Sequence, residues 1–410
     1  MELRGQIEAE ARAAKRSAAL LADGAVATAL RAAAAFARER VQAILEANEA
    51  DLEAARGLDP GTLDRLRLDA VRVDTLAAQV ESMAALEPLE REVASWGDAD
   101  RVIERRIPIG VVGANFEARP GVALDVASQL LKSLNGGVLR TGGAALRTVT
   151  VLVDEVLRPA LESASLPPDA IGLVRSPDRD GARILVSMPR LVPLVILRGS
   201  GETTAALARL AAEHGVRTLA HAEGGGVLYV HPSASPEKLL AISGASVDRL
   251  GVCNRLNLCL VDRAAARLAP DLVALFREHG LEVRGDVEGA RPLDVPIGHE
   301  WANDPNPSQV TSCYVDSLEE AVRIANEETS GLAAAIVAED ADAAWQFLDA
   351  YRGTAAFWNA TTRFADGHAL TGAPETGINV DWTPGPRGPV TYRDLWLRQY
   401  RVVGDGTQAR

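Results

Sequence analysis

Of the three cysteines in this 410-residue sequence, Cys253 stands in the setting best suited to nucleophilic chemistry. It lies in Gly251-Val-Cys-Asn254, where a glycine turn precedes a short polar stretch and then an apolar run. A thiol at such a strand entrance can be exposed, and nearby backbone N–H groups favour the thiolate, which is the reactive form. Packing as a small buried hydrophobe is the commoner fate of a cytosolic cysteine, and residue types alone leave both readings open. Cys259, within Asn257-Leu-Cys-Leu-Val261, and Cys313, in an expected strand, read as core residues.

Four polar clusters could serve such a thiol. Arg198-Gly-Ser-Gly-Glu202 follows an apolar run and precedes a helical pattern, so Gly199, Ser200 and Gly201 would offer small residues and free N–H groups to a dinucleotide phosphate. Arg140, in Leu139-Arg-Thr-Gly-Gly143, would contact an adenosine ribose or a 2′-phosphate, and reads equally well as a solvated arginine. His221 opens the flexible turn His-Ala-Glu-Gly-Gly-Gly226 and would act as a base or orient a water; a loop histidine bonded to backbone is the alternative. Asn359-Ala-Thr-Thr-Arg-Phe364 gathers amide, hydroxyl and guanidinium groups suited to a carboxylate or phosphate oxygen, although Asn and Thr also simply make good turns.

The elements that must position these residues follow from periodicity. Glu2 to about Arg56 carries apolar residues at three- and four-residue spacing interrupted at Gly24, predicting two amphipathic helices. Ile107-Pro-Ile-Gly-Val-Val-Gly113 predicts a strand, and Val122 to Leu134 a helix. Runs at Gly137 to Leu139, Ala170 to Val174 and Leu194 to Leu197 alternate with helical stretches, as a doubly wound parallel sheet requires. A second series, Gly226 to His231, Val252 to Val261 and Leu281 to Arg284, predicts a second α/β domain. Tyr392 to Val403 alternates as an edge strand or interface arm would.

Composition narrows the partners. A formal charge of −13, with no run of Lys and Arg set against it, repels phosphate backbones and anionic lipid and speaks against nucleic acid and membranes as partners. Sparse cysteines without CxxC spacing speak against a disulfide framework and a zinc site, so no metal is expected. The acidic start MELRGQIEAE and the lack of an apolar run near ~18 residues predict a cytoplasmic protein.

Taken in order, Pro108-Ile-Gly-Val-Val-Gly113, Phe116-Glu-Ala-Arg-Pro120, Leu131-Lys-Ser133 with Asn135, Leu139-Arg140, Gly251-Val-Cys-Asn254, Asn359 to Phe364, Arg387-Gly-Pro389 and Val403-Gly-Asp-Gly406 resemble the glutamate-5-semialdehyde dehydrogenase (gamma-glutamyl phosphate reductase) family of the aldehyde dehydrogenase superfamily. The resemblance runs from about residue 10 to the C-terminus. It implies two doubly wound α/β domains plus a small oligomerisation arm: a cofactor domain over 1–228 with 98–112 contributing to the arm, a catalytic domain over 229–368, and a return segment and arm over 369–410. It also implies a homo-oligomer and a small-molecule substrate. In that family a cysteine attacks an acyl phosphate, phosphate leaves, and NADPH delivers hydride to the thioester to release an aldehyde in proline biosynthesis.

Carried over, Cys253 is the nucleophile, its own N–H and Asn115 are oxyanion donors, and His221 matches a family histidine. Arg140, Gly199, Ser200, Gly201 and Asp304 would hold the cofactor, and Glu117, Arg119, Asn254, Asn257, Asn359, Thr362 and Arg363 the substrate. The chain departs from the pattern at Gly121, at Asn257-Leu258 in place of a Glu-Thr pair, at Ser330-Gly-Leu-Ala333, at Leu370-Thr-Gly-Ala-Pro-Glu375 and at Asp304. Such polar changes shift substrate choice, so the alternatives are a paralog acting on another acyl phosphate or aldehyde, or a catalytically silent homolog.

Overall fold

The computed structural model describes residues 2–58, 60–97, 102–199, 201–221, 224–249, 252–293, 309–381, 387–404 and 406. The chain divides into two compact units, Met1–Ala220 with Ala373–Gly377 and Val390–Arg410, and His221–Gly372 with Ile378–Pro389. The division falls at Ala220/His221, whereas the sequence reading set it after 228, a position inside a strand of the second unit.

The first unit opens with helices α1 (Glu2–Ala18), α2 (Asp23–Glu39), α3 (Val41–Ala54), α4 (Pro60–Leu66) and α5 (Ala70–Ala85). Three helices therefore replace the two predicted up to Arg56, and the first break comes before Asp23, leaving Gly24 within the first turn of α2. Glycine is tolerated there because the first N–H groups of a helix have no intrahelical acceptor. Buried Ala29, Ala33 and Ala37 line one stripe of α2, where small side chains allow close helix packing.

Strands β1 (Glu92–Trp96), β2 (Val102–Pro108) and β3 (Val111–Phe116) come next, then α6 (Val122–Lys132), β4 (Gly136–Thr141), α7 (Leu146–Val151), α8 (Arg158–Ser163), β5 (Ile171–Leu173), α9 (Asp180–Leu185), β6 (Leu194–Arg198), α10 (Gly201–Glu213) and β7 (Arg217–His221). The single strand predicted over Ile107–Gly113 is two strands in different sheets, parted at Gly110, whose φ of 112° suits glycine. A five-stranded sheet has the order β5-β4-β3-β6-β7, with β3 parallel to both β4 and β6. Strand order reverses between β3 and β6, and ligands of doubly wound sheets bind outside the carboxyl ends at such a reversal. Those ends are Phe116 and Arg198.

Two carboxylates of this unit act on its stability in opposite directions. Asp51, 1% exposed, accepts from the N–H and hydroxyl of Thr148 at 2.9 and 2.7 Å, placing a carboxylate at the start of α7 where the helix dipole favours it. Asp125, in the first turn of α6, has its carboxyl pushed up to about 6 by burial, with Arg198 opposing the rise and Glu375 adding to it. Because this folded value exceeds the ordinary 3.8, the native state holds the proton more tightly, and stability falls as pH rises from about 4 to 6. Asp125→Asn is expected to gain on the order of 2 kcal/mol over wild type at pH 7.5 and clearly less at pH 4.5, read by urea unfolding at both values.

The second unit contains β8 (Gly226–Val230), α11 (Pro236–Val247), β9 (Leu256–Asp262), α12 (Ala269–Glu278), β10 (Glu282–Gly285), β11 (Gln309–Val315), α13 (Leu318–Glu327), β12 (Ala333–Val337), α14 (Ala341–Ala350), β13 (Ala355–Trp358) and α15 (Gly367–Thr371). Short strands β14 (Gly377–Asn379) and β15 (Gly388–Val390) follow, and β16 (Trp396–Val402) returns to the first unit, antiparallel to β2. Its main sheet runs β10-β11-β9-β8-β12-β13 with parallel pairings, buried on both faces by separate apolar clusters. That double burial explains why its strands read as near-continuous hydrophobic runs. Among the described residues no helix is long and apolar enough to cross a membrane.

Candidate functional site

Two arrangements stand out, one in each unit. In the second, the strand expected from Val252 begins only at Leu256, so Cys253 occupies a turn between α11 and β9. It is half-buried, whereas Cys259 and Cys313 are buried and their thiols are pushed up to about 12 by burial. Cys253 rests against a small apolar cluster that includes Leu332, Ala333 and Ala365.

The turn is held from two sides. Gly225 N–H donates to the Cys253 carbonyl and Gly226 N–H to the Arg255 carbonyl, each at 2.6 Å. From the other side, the Thr362 hydroxyl donates to the Asn254 carbonyl at 2.8 Å, and Asn254 Nδ2 donates to the carbonyls of Arg363 and Ala365 at 3.0 and 3.2 Å. Arg363 Nη1 donates to Asn254 Oδ1, and its Nε pairs with Asp248 at 3.0 Å. Asn254, Thr362 and Arg363, singled out for substrate, are thus engaged in fixing the backbone that carries the thiol.

Asn359 is engaged in the same kind of work. Its φ is 51°, its Oδ1 accepts from Ala338 N–H at 3.1 Å, and its Nδ2 donates to the Ala338 carbonyl at 2.9 Å. Asparagine is among the few side chains at ease in that left-handed conformation, and its amide here mimics a neighbouring strand. Asn257 sits where two residues of β9 oppose one of β8, a bulge, and its Oδ1 accepts from Arg255 Nε and Nη2 at 3.2 and 3.0 Å. Arg255 went unnoticed in the sequence because an arginine beside a polar turn looks like any surface cation.

In the first unit a cleft of about 1110 Å³ opens at the carboxyl ends of β3 and β4, lined by Asn115, Glu117, Arg140, Gly142, Gly143, Thr203 and the exposed arginines Arg179, Arg183 and Arg209, among others. Arg140 is 5% exposed; its Nη1 donates to Asn115 Oδ1 at 3.1 Å and its Nη2 to the Asp178 carbonyl at 3.0 Å. Arg140 Nε is enclosed with no hydrogen-bond partner among the described residues. Asn115, expected as an oxyanion donor, accepts from Arg140 through its Oδ1, and Glu117 lies in the same cleft, within about 3.1 Å of where a Cβ on Gly199 would stand. Gly201 opens α10, Arg119 is exposed in the loop after β3, and the backbone of His221 ends β7. The His221 side chain, Ser200 and Asp304 lie outside the described residues.

Comparison with known proteins gives one consistent result. The model of the aldehyde dehydrogenase family matches residues 310–385. Gamma-glutamyl phosphate reductase of Rhodospirillum rubrum is 34% identical, covering 98% of this chain and 93% of its own, and that of Caulobacter sp. is 35% identical, covering 99% of each. The crystal structure of gamma-glutamyl phosphate reductase from Thermotoga maritima superposes with a TM-score of 0.90 at 27% identity, over 99% of this chain and all of that one. An acetylating aldehyde dehydrogenase from Geobacillus thermoglucosidasius shares the fold, with a TM-score of 0.74 at 14% identity over 100% of this chain and 98% of its own.

Proposed function

Because the chain belongs to the gamma-glutamyl phosphate reductase family of aldehyde dehydrogenase-type oxidoreductases, we propose that it reduces gamma-glutamyl phosphate to glutamate 5-semialdehyde, as in proline biosynthesis. The observation that carries this reading is Cys253, partly exposed on a turn held by Gly225, Asn254 and Thr362. Its thiolate attacks the acyl carbon, and the carbon–oxygen bond to phosphate breaks, leaving a thioester and inorganic phosphate. The Cys253 N–H stabilises the oxyanion of that step, and the Asn254, Thr362 and Arg363 bonds keep the sulfur aimed. Asn359 and Asn257 contribute at one remove by fixing the neighbouring backbone.

The cleft of the first unit fits a nicotinamide dinucleotide. It lies at the carboxyl ends of the strands, Arg140 carries an enclosed Nε without a partner among the described residues, and further arginines surround it. Bound NADPH would supply the hydride that converts the Cys253 thioester to aldehyde and restores the thiolate. Arg140, oriented by Asn115, would hold the ribose or its 2′-phosphate, with Gly199, Ser200 and Gly201 near the diphosphate and Asp304 near the nicotinamide ribose. Arg140→Met is expected to lower the preference for NADPH over NADH by ~10-fold or more, since a lost hydrogen bond to a charged group costs about 1.5–3 kcal/mol. Equal loss with both cofactors would assign Arg140 to the ribose instead.

Phosphate-dependent oxidation of glutamate 5-semialdehyde with NADP, the reverse reaction, tests the whole reading; an active-site preparation that titrates with a thiol reagent yet shows no turnover would remove it. The same proposal makes the β1-β2-β16 sheet an arm that joins subunits, since Leu397, Tyr400 and Val402 are exposed along its edge strand.

A further inference from the structure

We propose that Arg255 is a specificity-determining residue that binds an oxyanion group of the substrate, either its carboxylate or its phosphoryl group. The proposal rests on the reductase reading above and names a contact within the same site.

Arg255 lies two residues after the thiol, just before β9, and is 6% exposed. Among the described residues its hydrogen bonds go only to uncharged acceptors: Nε and Nη2 to Asn257 Oδ1 at 3.2 and 3.0 Å, and Nη2 to the Gln309 carbonyl at 3.1 Å. No carboxylate among the described residues forms an ion pair with it, and its affinity for the proton is lowered by burial, with no compensating charge. A guanidinium has five N–H donors in a planar fork, and a buried one without a counter-charge gains strongly when an anion arrives.

The bulge of β9 explains how the charge is kept available. It turns the Asn257 amide oxygen back onto one edge of the fork, fixing its plane. A carboxylate at position 257 would pair with Arg255 and cancel its charge; the neutral amide orients the guanidinium without doing so. On the neighbouring strand the Gln309 side-chain oxygen and the Thr311 hydroxyl are also enclosed without partners, so this end of the sheet carries more polar capacity than the described residues satisfy.

The test uses the full chain in the oxidative direction, with NADP and inorganic phosphate, comparing glutamate 5-semialdehyde with uncharged pentanal in wild type, Arg255→Gln and Arg255→Lys. If the carboxylate is bound, Arg255→Gln raises KM for the charged aldehyde ~30-fold while pentanal changes less than about 3-fold, and Arg255→Lys recovers part of the loss. If the phosphoryl group is bound, KM for phosphate rises similarly with both aldehydes. Equal loss of kcat for both aldehydes, with no KM changed, would make Arg255 a support for the turn and overturn the proposal. Thermal shift by glutarate and by inorganic phosphate reads the anion site without turnover: a shift lost in Arg255→Gln in an enzyme that turns over neither aldehyde would sink the reductase reading alone, and no shift in such an enzyme would sink both.

Discussion

Cys253→Ala is expected to lower kcat by on the order of 10³-fold or more while leaving the folded state nearly unchanged. Removing a nucleophile leaves only the catalysis that binding and oxyanion stabilisation provide, and the loss is of this size or larger in enzymes that work through a covalent intermediate. Neither remaining thiol can substitute: Cys259 and Cys313 are buried in the sheet and their thiols are raised to about 12, so almost no thiolate exists at neutral pH. The alanine removes one sulfur from a half-buried position, so the stability change should stay within about 1 kcal/mol. Turnover and denaturant midpoint measured on the same preparation check both halves. Iodoacetamide labelling adds a third reading, because wild type should take one rapid label and the variant none. Activity remaining above about 1% of wild type would remove Cys253 from the covalent role.

The fold was legible because buried parallel strands and their covering helices leave opposite signatures in sequence. The runs Gly137 to Leu139 and Leu194 to Leu197, which lie within β4 and β6, read as strands because both faces of their sheet are covered, leaving short apolar runs. Boundaries were less legible where backbone geometry overrides pattern. Ile107 to Gly113 looks like one apolar strand, and only the positive φ at Gly110 divides it between two sheets. Val252 to Val261 reads as one segment of the second series, although Cys253 and Asn254 form a turn and β9 begins only at Leu256.

The candidate site was legible as a set of residue types, less so as a set of partners. Cys253 and Arg140 were picked out individually, but that Asn115 orients Arg140 depends on strand register, since β3 places Asn115 opposite Arg140 on β4. Asn254, Thr362 and Arg363 come together across more than a hundred residues, a separation over which periodicity carries no information. Arg255 was invisible because a bulge, absent from any hydrophobic pattern, determines where its partner Asn257 points.

Gly224→Ala should reduce kcat by ~100-fold without touching any reacting group. A Cβ at Gly224 would stand 2.6 Å from the Cys253 carbonyl oxygen, 2.8 Å from its Cβ and 2.9 Å from its Cα. Two of these atoms are backbone and cannot rotate away, and the 2.6 Å bond from Gly225 N–H to the same carbonyl holds the two segments together. Either that bond breaks, which costs about 1 kcal/mol, or the Cys253 turn moves by a good part of an ångström. Attack requires the sulfur within about 3–3.5 Å of the carbonyl carbon in correct alignment, and a misplacement near 1 Å costs about 10²-fold. The loss should appear in kcat and in the rate of iodoacetamide labelling, with the melting temperature lowered by only a few degrees. Gly24→Ala is the control, since nothing lies within 4 Å of its added carbon and alanine in the first turn of α2 should, if anything, stabilise the chain. Wild-type turnover in Gly224→Ala would mean that the thiol turn adjusts freely, and the bonds from Gly225, Asn254 and Thr362 would then not be what aims the sulfur.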